Sequence, residues 1–371
     1  MRRRLFGMAL SIAAIGGVGY LGFALARVRE FNRRERVQAR TLPPVSILKP
    51  LHGEEEGLFD NLASFCEQNY PVFEVLLGVH DAHDPALRTA QQIVARYPDR
   101  ARLVIGDGKS AAANPKVANL SGMIGIARNR IIVMADADMR VGATYLRHLV
   151  APFEDEDVGA VTCLYAGSPS SNLPSQLGAM FINEQFAPSV LVATALEPLR
   201  YCFGATIAVR RSVLDAIGGF AALADHVADD HLLGKLVTDR GRRVVLSSYV
   251  VENVIDEAGF AGLWARELRW SRTIRSVRPL GHACSFLTFG LPLAAMAAVV
   301  SRGRYGTPLL VVLAAALRAA LHLEAKAGSP LLIPMRDVMS VAVWAASFVA
   351  RDVDWRGRRL ELDSAGEILE S

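Results

Sequence analysis

The segment near the start of the chain places the strongest constraint on the fold. It is an apolar run from Leu5 to Ala26 without a charged residue, and roughly 20 such residues suffice to cross the hydrocarbon core of a bilayer. No small-residue cleavage site of a signal peptide is evident, which favours an uncleaved anchor. Arginines flank the run, with the larger cluster after it: Arg2, Arg3 and Arg4 before, and Arg27, Arg29, Arg33, Arg34 and Arg36 after. Because positive residues favour the cytoplasmic side, residues 1–40 are predicted to be a transmembrane anchor with a basic juxtamembrane segment, followed by a cytoplasmic domain.

Further apolar segments lie near the C-terminus. The segments are residues 282–300, 306–323 and 331–350. The last carries Arg336 and Asp337, and charges within a spanning helix are costly unless they are paired or near the interface. Three spans after a cytoplasmic domain would also place the basic tail, residues 351–371, outside, against the positive-inside rule. We therefore predict two to three membrane helices in residues 281–350, with one segment interfacial or re-entrant, in a multi-pass protein of the inner (cytoplasmic) membrane.

Composition narrows the function classes. Hydrophobic residues make up 51% of the chain and charged residues only 21%, as expected for a protein that contacts a membrane. The cysteines, far apart and without a C-x-x-C pair, are Cys66, Cys163, Cys202 and Cys284. That spacing fits reduced thiols better than a disulfide framework or a zinc site. The net charge is only +4, and the basic residues cluster beside apolar segments, which favours anionic lipid headgroups over nucleic acid as the partner.

Residues 41–255 have the pattern of one α/β domain. Helix-like stretches such as 56–68 and 85–97 alternate with short apolar runs rich in β-branched residues. The runs are Val45–Leu48, Phe73–Val79, Leu103–Ile105, Ile131–Met134, Ala160–Leu164, Ala205–Val209 and Val244–Leu246. Such alternation predicts a mainly parallel sheet covered on both faces. Ligands of such sheets bind at the carboxyl ends of the strands, so acidic residues at those ends carry the most weight.

Acidic residues follow several of these runs. Asp81 comes after the run that ends at Val79, and Asp136 and Asp138 follow Met134 as Ala-Asp-Ala-Asp. Farther on are Asp229 and Asp230 in Ala-Asp-Asp-His, and the stretch Arg266-Glu-Leu-Arg-Trp270 ahead of the apolar C-terminal region. We predict that the first three of these sites meet at one edge of the sheet.

This pattern suits a reaction in which a nucleotide diphosphate leaves a sugar. A divalent cation such as Mg²⁺ or Mn²⁺ neutralises the leaving diphosphate, and Asp138 with Asp136 would hold it. Asp81 would bind the base or ribose, and Asp230 would take the proton of the acceptor hydroxyl. Arg269 would hold the diphosphate with a bidentate fork that lysine lacks. Trp270 would offer its ring face to the acceptor.

Each signal also has an ordinary structural interpretation. D-x-D also occurs at Asp155/Asp157 and Asp352/Asp354, where solvated loop acids are the better interpretation. Acids are favoured at helix starts by the helix dipole, which accounts equally well for Asp229 and Asp230. Arg266 to Trp270 also fits a basic interfacial helix. His80, His83 and Asp84 resemble a metal cluster, but a loop after a strand explains them as well.

In order along the chain, the series Asp81, Asp136-x-Asp138, Asp230, Arg266-x-x-Arg-Trp270 resembles that of glycosyltransferases of the GT-A fold, a mixed α/β sheet domain. More narrowly it resembles family 21, the ceramide glucosyltransferases. The segments that carry this resemblance are Leu48-Lys-Pro-Leu-His-Gly53, Asn69-Tyr-Pro71, Asn114-Pro-Lys-Val-Ala-Asn119, Ala228-Asp-Asp230 and Trp355-Arg-Gly-Arg-Arg359. Many relatives have Gln where this chain has Arg266.

The resemblance implies a role for each matching residue. Donor-binding residues would be Lys49, Pro50, Asp81, Lys116, Asp136 and Arg266. Asp136 and Asp138 would hold the metal, and Asp230 would be the catalytic base, with Arg269 and Trp270 also catalytic. The interfacial segment with the RxxRW motif is predicted at residues 256–280.

Several stretches are most similar to the bacterial hopanoid-biosynthesis glycosyltransferases within this family. They are Thr162-Cys-Leu-Tyr165, Phe181-Ile-Asn183, Leu223-Ala-Asp-His226 and Arg272 to Pro279. This implies transfer of N-acetylglucosamine or glucose from a UDP-sugar to a membrane lipid hydroxyl, with a hopanoid polyol as acceptor. Ceramide is the alternative acceptor. A processive polysaccharide synthase and a non-enzymatic lipid-binding scaffold on the same fold are the other two hypotheses.

Overall fold

The structure is a computed structural model that describes residues 2–108, 112–326, 328–349, 353–355, 358–362 and 368–369. It opens with α1 (Arg2–Asn32), a continuous helix that contains the predicted anchor. Its length and apolarity are sufficient to cross a membrane. Residues 45–255 then form a mixed sheet with helices on both faces, and the remaining helices follow.

Eight strands make up the main sheet, and all seven runs predicted from the sequence lie in or directly beside them. The strands are β1 (Val45–Pro50), β2 (Phe73–Val79), β3 (Ala101–Ile105), β4 (Ile131–Met134), β5 (Met139–Arg140), β6 (Val158–Pro169), β7 (Ile207–Arg210) and β8 (Arg243–Ile255). Their order in the sheet is β3-β2-β1-β4-β7-β6-β8-β5. Strands β1 to β4 are mutually parallel where they pair, whereas β7 runs antiparallel to both β4 and β6. The sheet is therefore mixed.

Helices cover the two faces of the sheet and continue beyond it. The further helices are α2 (Leu58–Cys66), α3 (Ala86–Arg96), α4 (Pro115–Ile124), α5 (Tyr145–Val150), α6 (Leu173–Phe181), α7 (Ala187–Leu196), α8 (Arg211–Ala216), α9 (Asp229–Asp239), α10 (Phe260–Val277), α11 (Pro279–Cys284), α12 (Gly290–Ser301), α13 (Thr307–Ala325) and α14 (Ile333–Ala346). One core packs α2, α3 and α5 on one face of the sheet. A second packs α4, α8 and α9 on the other. Burial on both faces explains why the strands are apolar throughout.

The C-terminal apolar segments differ from one another in the structure. Helix α13 is long and apolar enough to span a membrane. The predicted segment 282–300 is instead broken, with a bend of 69° between residues Pro279–Thr288, which begin with α11, and α12. Helix α14 has only 14 residues, short of the roughly 20 that a span requires. That one of these segments is interfacial or re-entrant stays a prediction.

One further candidate span was missed by the sequence analysis. Residues 173–196 form a continuous helical rod in which α6 and α7 are joined by a π-helical turn, Ile182–Phe186. The rod meets the length and hydropathy of a membrane helix, although it lies within the range assigned to the α/β domain. It was missed because Glu184 and Gln185 interrupt its apolar pattern. An apolar core joins α1, α7, α12 and α13 to the sheet strand β6.

The tail carries a second, three-stranded antiparallel sheet. Its strands are β9 (Val353–Trp355), β10 (Arg358–Leu362) and β11 (Ile368–Leu369). The amide of Ile368 donates to the carbonyl of Asp225, 2.8 Å away, which places β11 against the loop ahead of α9. Arg351, Arg356 and Asp352 of the predicted basic tail lie outside the described residues.

Candidate functional site at the carboxyl edge of the sheet

Three neighbouring parallel strands end at the same edge of the sheet, as the sequence predicts. Strand β1 pairs with β2 on one side and with β4 on the other. Pro50 ends β1, Asp81 follows β2, and Asp136 and Asp138 follow β4. The carboxyl ends of parallel strands are the usual position for ligands, so this edge is the candidate site.

Asp136 is held by a lysine from the start of α4. The Asn114 side chain caps this helix by accepting from the Lys116 and Val117 amides, with Pro115 at the first helical position. This cap directs Lys116 toward the sheet edge, where its Nζ lies 2.8 Å from Asp136 Oδ1 and 3.7 Å from Asp229 Oδ2. Burial alone would lower the pKa of Lys116, but the Asp136 and Asp229 carboxylates raise it above its usual value. Lys116 is therefore a fixed positive charge at this edge.

Asp138 is positioned by strand β8. The Asn253 side chain donates to Asp138 Oδ2 at 2.7 Å, and the Val254 amide donates to the Asp138 carbonyl at 2.9 Å. Burial raises the pKa of Asp138, and the neighbouring Asp136 carboxylate raises it further. Burial and a neighbouring carboxylate both disfavour the charged form of Asp138.

Asp230, at the start of α9, lies beside the same cluster. Its Oδ2 accepts from the Gly204 amide at 2.9 Å, and its Oδ1 accepts from the His231 amide at 2.7 Å. A Cβ built on Gly204 would lie 3.1 Å from Lys116 Nζ, 3.2 Å from Asp136 Oδ2 and 3.6 Å from Asp230 Oδ2. Gly204 therefore marks the point at which these three predicted residues converge.

The acids of the Asp229-Asp230 pair face different surroundings. Asp229 is buried against Lys116, and burial raises its pKa to about 6. Burial also raises the pKa of Asp230, against the opposing charge of Lys116 and its two backbone donors. A carboxylate whose pKa is raised is a better proton acceptor near neutral pH, and Asp230 is the one that opens toward the cavity described below.

Lys49 lies beneath the site. Its side chain is fully buried, and its Nζ donates to the main-chain carbonyl of Asp136 and lies 3.9 Å from the ring centroid of Phe65. Burial lowers the pKa of Lys49 to about 7, with Asp138 and Asp136 opposing the shift. In this arrangement Lys49 fixes the loop that carries Asp136. Its contact with a donor, and that of the adjacent Pro50, stay predictions.

Asp81 stands two strands away from Asp136. It accepts from the His83 amide at 2.6 Å, and its Cβ lies 3.4 Å from the position that a Cβ on Gly108 would take. Gly108 has a φ of +72°, a region that favours glycine. Among the described residues no group of three or more His, Cys, Asp or Glu side chains could hold a metal by itself. His80, His83 and Asp84 follow β2, and Asp84 Oδ1 accepts from the Gly53 and Ala86 amides.

Helix α10 brings the RxxRW motif to the same region. Arg266 pairs with Glu257 at 2.6 Å and lies over the ring of Trp270 at 5.2 Å. The positive charge of Arg266 also acts on Asp138, where it opposes the rise in pKa that burial causes. Trp270 stacks on Phe181 of α6, with ring centroids 6.0 Å apart. Arg269 is half-buried on the same helix, and its role stays a prediction.

An apolar cavity of about 480 Å³ adjoins the charged cluster. It lies between α6, α7, α10, α11 and α14, and Asp230 and Gly204 form part of its wall. Aromatic rings line much of the rest: Tyr165, Phe181, Phe186, Tyr201, Phe203, Trp270, Phe289 and Trp344. Sequence reasoning missed most of these residues because they come from distant segments. Asn253 and Gly204 were also missed, and no local signal distinguishes them.

The family model described as Glycosyl transferase family 21 matches residues 9–368. The chain belongs to glycosyl transferase family 21. This confirms the family resemblance inferred from the motif series.

The acids of the other D-x-D motif within the described residues are surface groups, since Asp155 pairs with Arg243 and Asp157 with Arg242.

The curated relatives that the chain resembles include enzymes named for lipid acceptors. Ceramide glucosyltransferase 1 of Caenorhabditis elegans is 24% identical over 210 residues, which cover 56% of this chain and 45% of the relative. Beta-monoglucosyldiacylglycerol synthase of Trichormus variabilis is 25% identical over 274 residues, which cover 71% and 55%. The chain thus spans about half the length of the curated relatives it matches.

Among solved structures, a mannosyltransferase from Pyrobaculum calidifontis in complex with GDP-mannose and Mn²⁺ has a similar fold. It matches with a TM-score of 0.57 and 20% sequence identity, covering 94% of this chain and 98% of the other. The GT-A fold predicted from the sequence is therefore confirmed.

Proposed function

We propose that this chain is a membrane-bound, inverting glycosyltransferase. It transfers N-acetylglucosamine or glucose from a UDP-sugar to a hydroxyl of a membrane lipid, with a hopanoid polyol as the first candidate acceptor. Ceramide is the second candidate, because a ceramide glucosyltransferase is among its relatives. The catalytic domain would face the cytoplasm at the inner membrane. One observation carries the proposal: Asp230 belongs both to the charged cluster and to the wall of the apolar cavity.

The donor would lie on the polar side of Asp230. Lys116 offers a fixed positive charge for the diphosphate, Asp81 lies at the neighbouring strand end, and Arg266 and Arg269 approach from α10. Asp138 and Asp136 fit a divalent cation, Mg²⁺ or Mn²⁺, because both are carboxylates that follow β4 at the same sheet edge and carboxylate oxygens are the ligands such ions take. Such ions bind through one or two carboxylates plus substrate phosphates. When bound, the cation would neutralise the charge that develops on the leaving diphosphate.

The acceptor would enter from the cavity. Its aromatic and aliphatic walls suit a lipid, and of the described residues that line it only Asp230 and Glu267 are acidic. Both carboxylate oxygens of Glu267 accept from Arg336 at 2.7 Å. Asp230 is therefore the carboxylate available to take a proton from an acceptor hydroxyl.

The reaction then balances in one displacement. Asp230 accepts the hydroxyl proton while the acceptor oxygen bonds to the anomeric carbon. The bond from that carbon to the diphosphate oxygen breaks, and UDP leaves with the electron pair. Trp270 would present its ring beside the acceptor. The pKa of Asp230, raised by burial, favours this proton transfer.

The first test identifies the product. Purified enzyme in lipid vesicles is given labelled UDP-N-acetylglucosamine or UDP-glucose with a hopanoid polyol or a ceramide, and the lipids are analysed by mass spectrometry. A single-sugar glycolipid is expected, and its mass identifies donor and acceptor together. A polymer would identify a processive synthase instead, and no transfer under any pairing would reject the proposal.

The second test addresses the base. Asp230→Asn should reduce transfer by about 10²–10⁴-fold, the usual contribution of a positioned base, while UDP binding is retained. Asp239→Asn is the matched control, because Asp239 lies at the far end of α9 and pairs only with Lys235 among the described residues. Undiminished turnover by Asp230→Asn would remove Asp230 from the mechanism.

A further inference from the structure

Arg336 of α14 is a buried charge that the proposed reaction does not use. Its side chain is completely inaccessible to solvent. Its Nη1 and Nη2 donate to the two oxygens of Glu267 at 2.7 Å each, and Nη1 also donates to the Leu177 carbonyl at 3.1 Å. Its Nε donates to Ser340 Oγ at 3.0 Å, and its guanidinium lies 5.6 Å from the ring centroid of Phe181. All three nitrogens of the guanidinium therefore donate hydrogen bonds.

These contacts join three helices at the acceptor cavity. Leu177 and Phe181 belong to α6, Glu267 belongs to α10, and Ser340 belongs to α14 with Arg336 itself. Glu267 and Ser340 both line the cavity. The planar bidentate fork fixes orientation as well as distance, which a lysine cannot do.

Glu267 lies within the RxxRW motif. Arg266 precedes it, and Trp270 comes three residues later on the adjoining turn of the same helix. Trp270 stacks on Phe181, which is the ring that Arg336 also contacts. Arg336 therefore reaches Trp270 by two routes, through Glu267 along α10 and through Phe181 across from α6.

A buried ion pair adds little stability compared with hydrophobic residues of the same volume. The Arg336–Glu267 pair is therefore expected to act on the orientation of the helices that it joins more than on the free energy of unfolding. We propose that Arg336 is a positioning residue that, through its bidentate pair with Glu267, fixes α10 so that Trp270 and Arg266 face the reacting groups. The expected effect on turnover rests on the proposed function, whereas the positioning of α10 by Arg336 does not.

A second buried network, which joins α13, α14 and the π-helical turn before α7, supplies a matched control. Arg318 of α13 contacts Glu184, and its Nη2 lies 3.0 Å from Asp337 Oδ1. His322 Nδ1 lies 2.8 Å from the other oxygen of Glu184. Arg318 is also buried, with 4% of its surface exposed, and among the described residues its hydrogen-bond and ion-pair partners are Glu184 and Asp337, neither of which belongs to α10.

The experiment compares Arg336→Lys with Arg318→Lys in the full-length protein in detergent or vesicles. The first readout needs no transfer activity: hydrogen exchange of the α10 amides, Phe260–Val277. Faster exchange in α10 is expected for Arg336→Lys and not for Arg318→Lys. The second readout is kinetic. Arg336→Lys should lower turnover by about 10–100-fold, since a displacement of about 1 Å can cost 10² in rate.

The double variant Glu267→Met/Arg336→Met separates position from stability. Hydrophobic replacement of both partners should leave the thermal midpoint close to that of the wild type. Turnover should nevertheless be low, because the bidentate pair that orients α10 is lost. Turnover restored to the wild-type level in the double variant would overturn the inference. Unchanged α10 exchange in Arg336→Lys would also overturn it. If wild-type enzyme transfers no sugar to any lipid, the proposed function fails, while the exchange comparison still decides the positioning role.

Discussion

A methyl group added at Gly204 tests whether the charged cluster is the reacting centre. In Gly204→Ala the new Cβ would lie 3.1 Å from Lys116 Nζ and 3.2 Å from Asp136 Oδ2. Ordinary contacts of a Cβ begin at 3.4 Å, so each of these groups must move by a few tenths of an ångström. The backbone itself should tolerate alanine, because Gly204 is not among the glycines with positive φ.

The magnitude follows from how tightly these groups are held. Lys116 cannot simply swing away without weakening its contacts with Asp136 at 2.8 Å and Asp229 at 3.7 Å. A misplacement of about 1 Å can cost 10² in rate, so shifts of about 0.3 Å at several groups together should cost roughly tenfold. That corresponds to about 1.4 kcal/mol of transition-state stabilisation.

The assay is the initial rate of sugar transfer to lipid, with thermal unfolding measured in parallel. Gly122→Ala is the control, because a Cβ there meets nothing within 4 Å and Gly122 lies within α4. The control should keep full activity and gain about 0.5–1 kcal/mol of stability, as expected for alanine in place of helical glycine. Wild-type transfer by Gly204→Ala would refute the reasoning, since the converging groups would then not be the ones that react.

Other predictions concern the metal and the sheet. Asp138→Asn should weaken Mn²⁺ binding in the presence of UDP, measured by calorimetry, whereas the surface variant Asp155→Asn should not; equal affinities would exclude Asp138 as a ligand. Burial raises the pKa of Glu74, but hydrogen bonds from Ser46 and the Arg128 amide and the charge of Arg102 lower it more, so that the pKa lies below its usual value. The stabilisation is then present above the unfolded pKa near 4.3 and is lost as pH falls through the lower folded value. Glu74→Gln should therefore cost about 1–3 kcal/mol at neutral pH, and its melting temperature should converge with that of wild type in acid; a difference independent of pH would contradict this.

The sheet and its acidic edge were predictable because both are local in sequence. Each strand is a short apolar run, and Asp136 and Asp138 directly follow the run that forms β4. Pairing of β1 with β2 and β4 then brings the strand ends together without further information. The helix dipole interpretation of Asp229 and Asp230 was also sound, since both occupy the first turn of α9. The structure shows that the same turn lies beside Lys116.

The cavity and the buried charges could not be predicted, because their partners are distant in sequence. In the sequence, Arg336 and Asp337 argue against a membrane helix. In the structure they are paired with Glu267 and Arg318, which lie on other helices. Glu184 likewise makes the helix of residues 173–196 look too polar to span a membrane, although Arg318 of another helix pairs with it. A pattern along one segment reports its polarity, whereas the cost of a charge depends on what faces it.

The two long strands β6 and β8 explain why the charged edge and the apolar cavity share one position. They pair in parallel up to Pro169 and Ile255, so they end at the same edge. Near its end β8 supplies Asn253 to Asp138. Beyond these ends the chain enters α6 and α10, the helices that carry Phe181 and Trp270 in the cavity wall. The strands that position the metal-binding carboxylate in the proposed mechanism therefore also lead into the acceptor-binding helices. A change in the length of β6 or β8 should therefore alter both the proposed metal site and the apolar cavity. If the cavity were unconnected to the charged edge, such a change would alter only one of them.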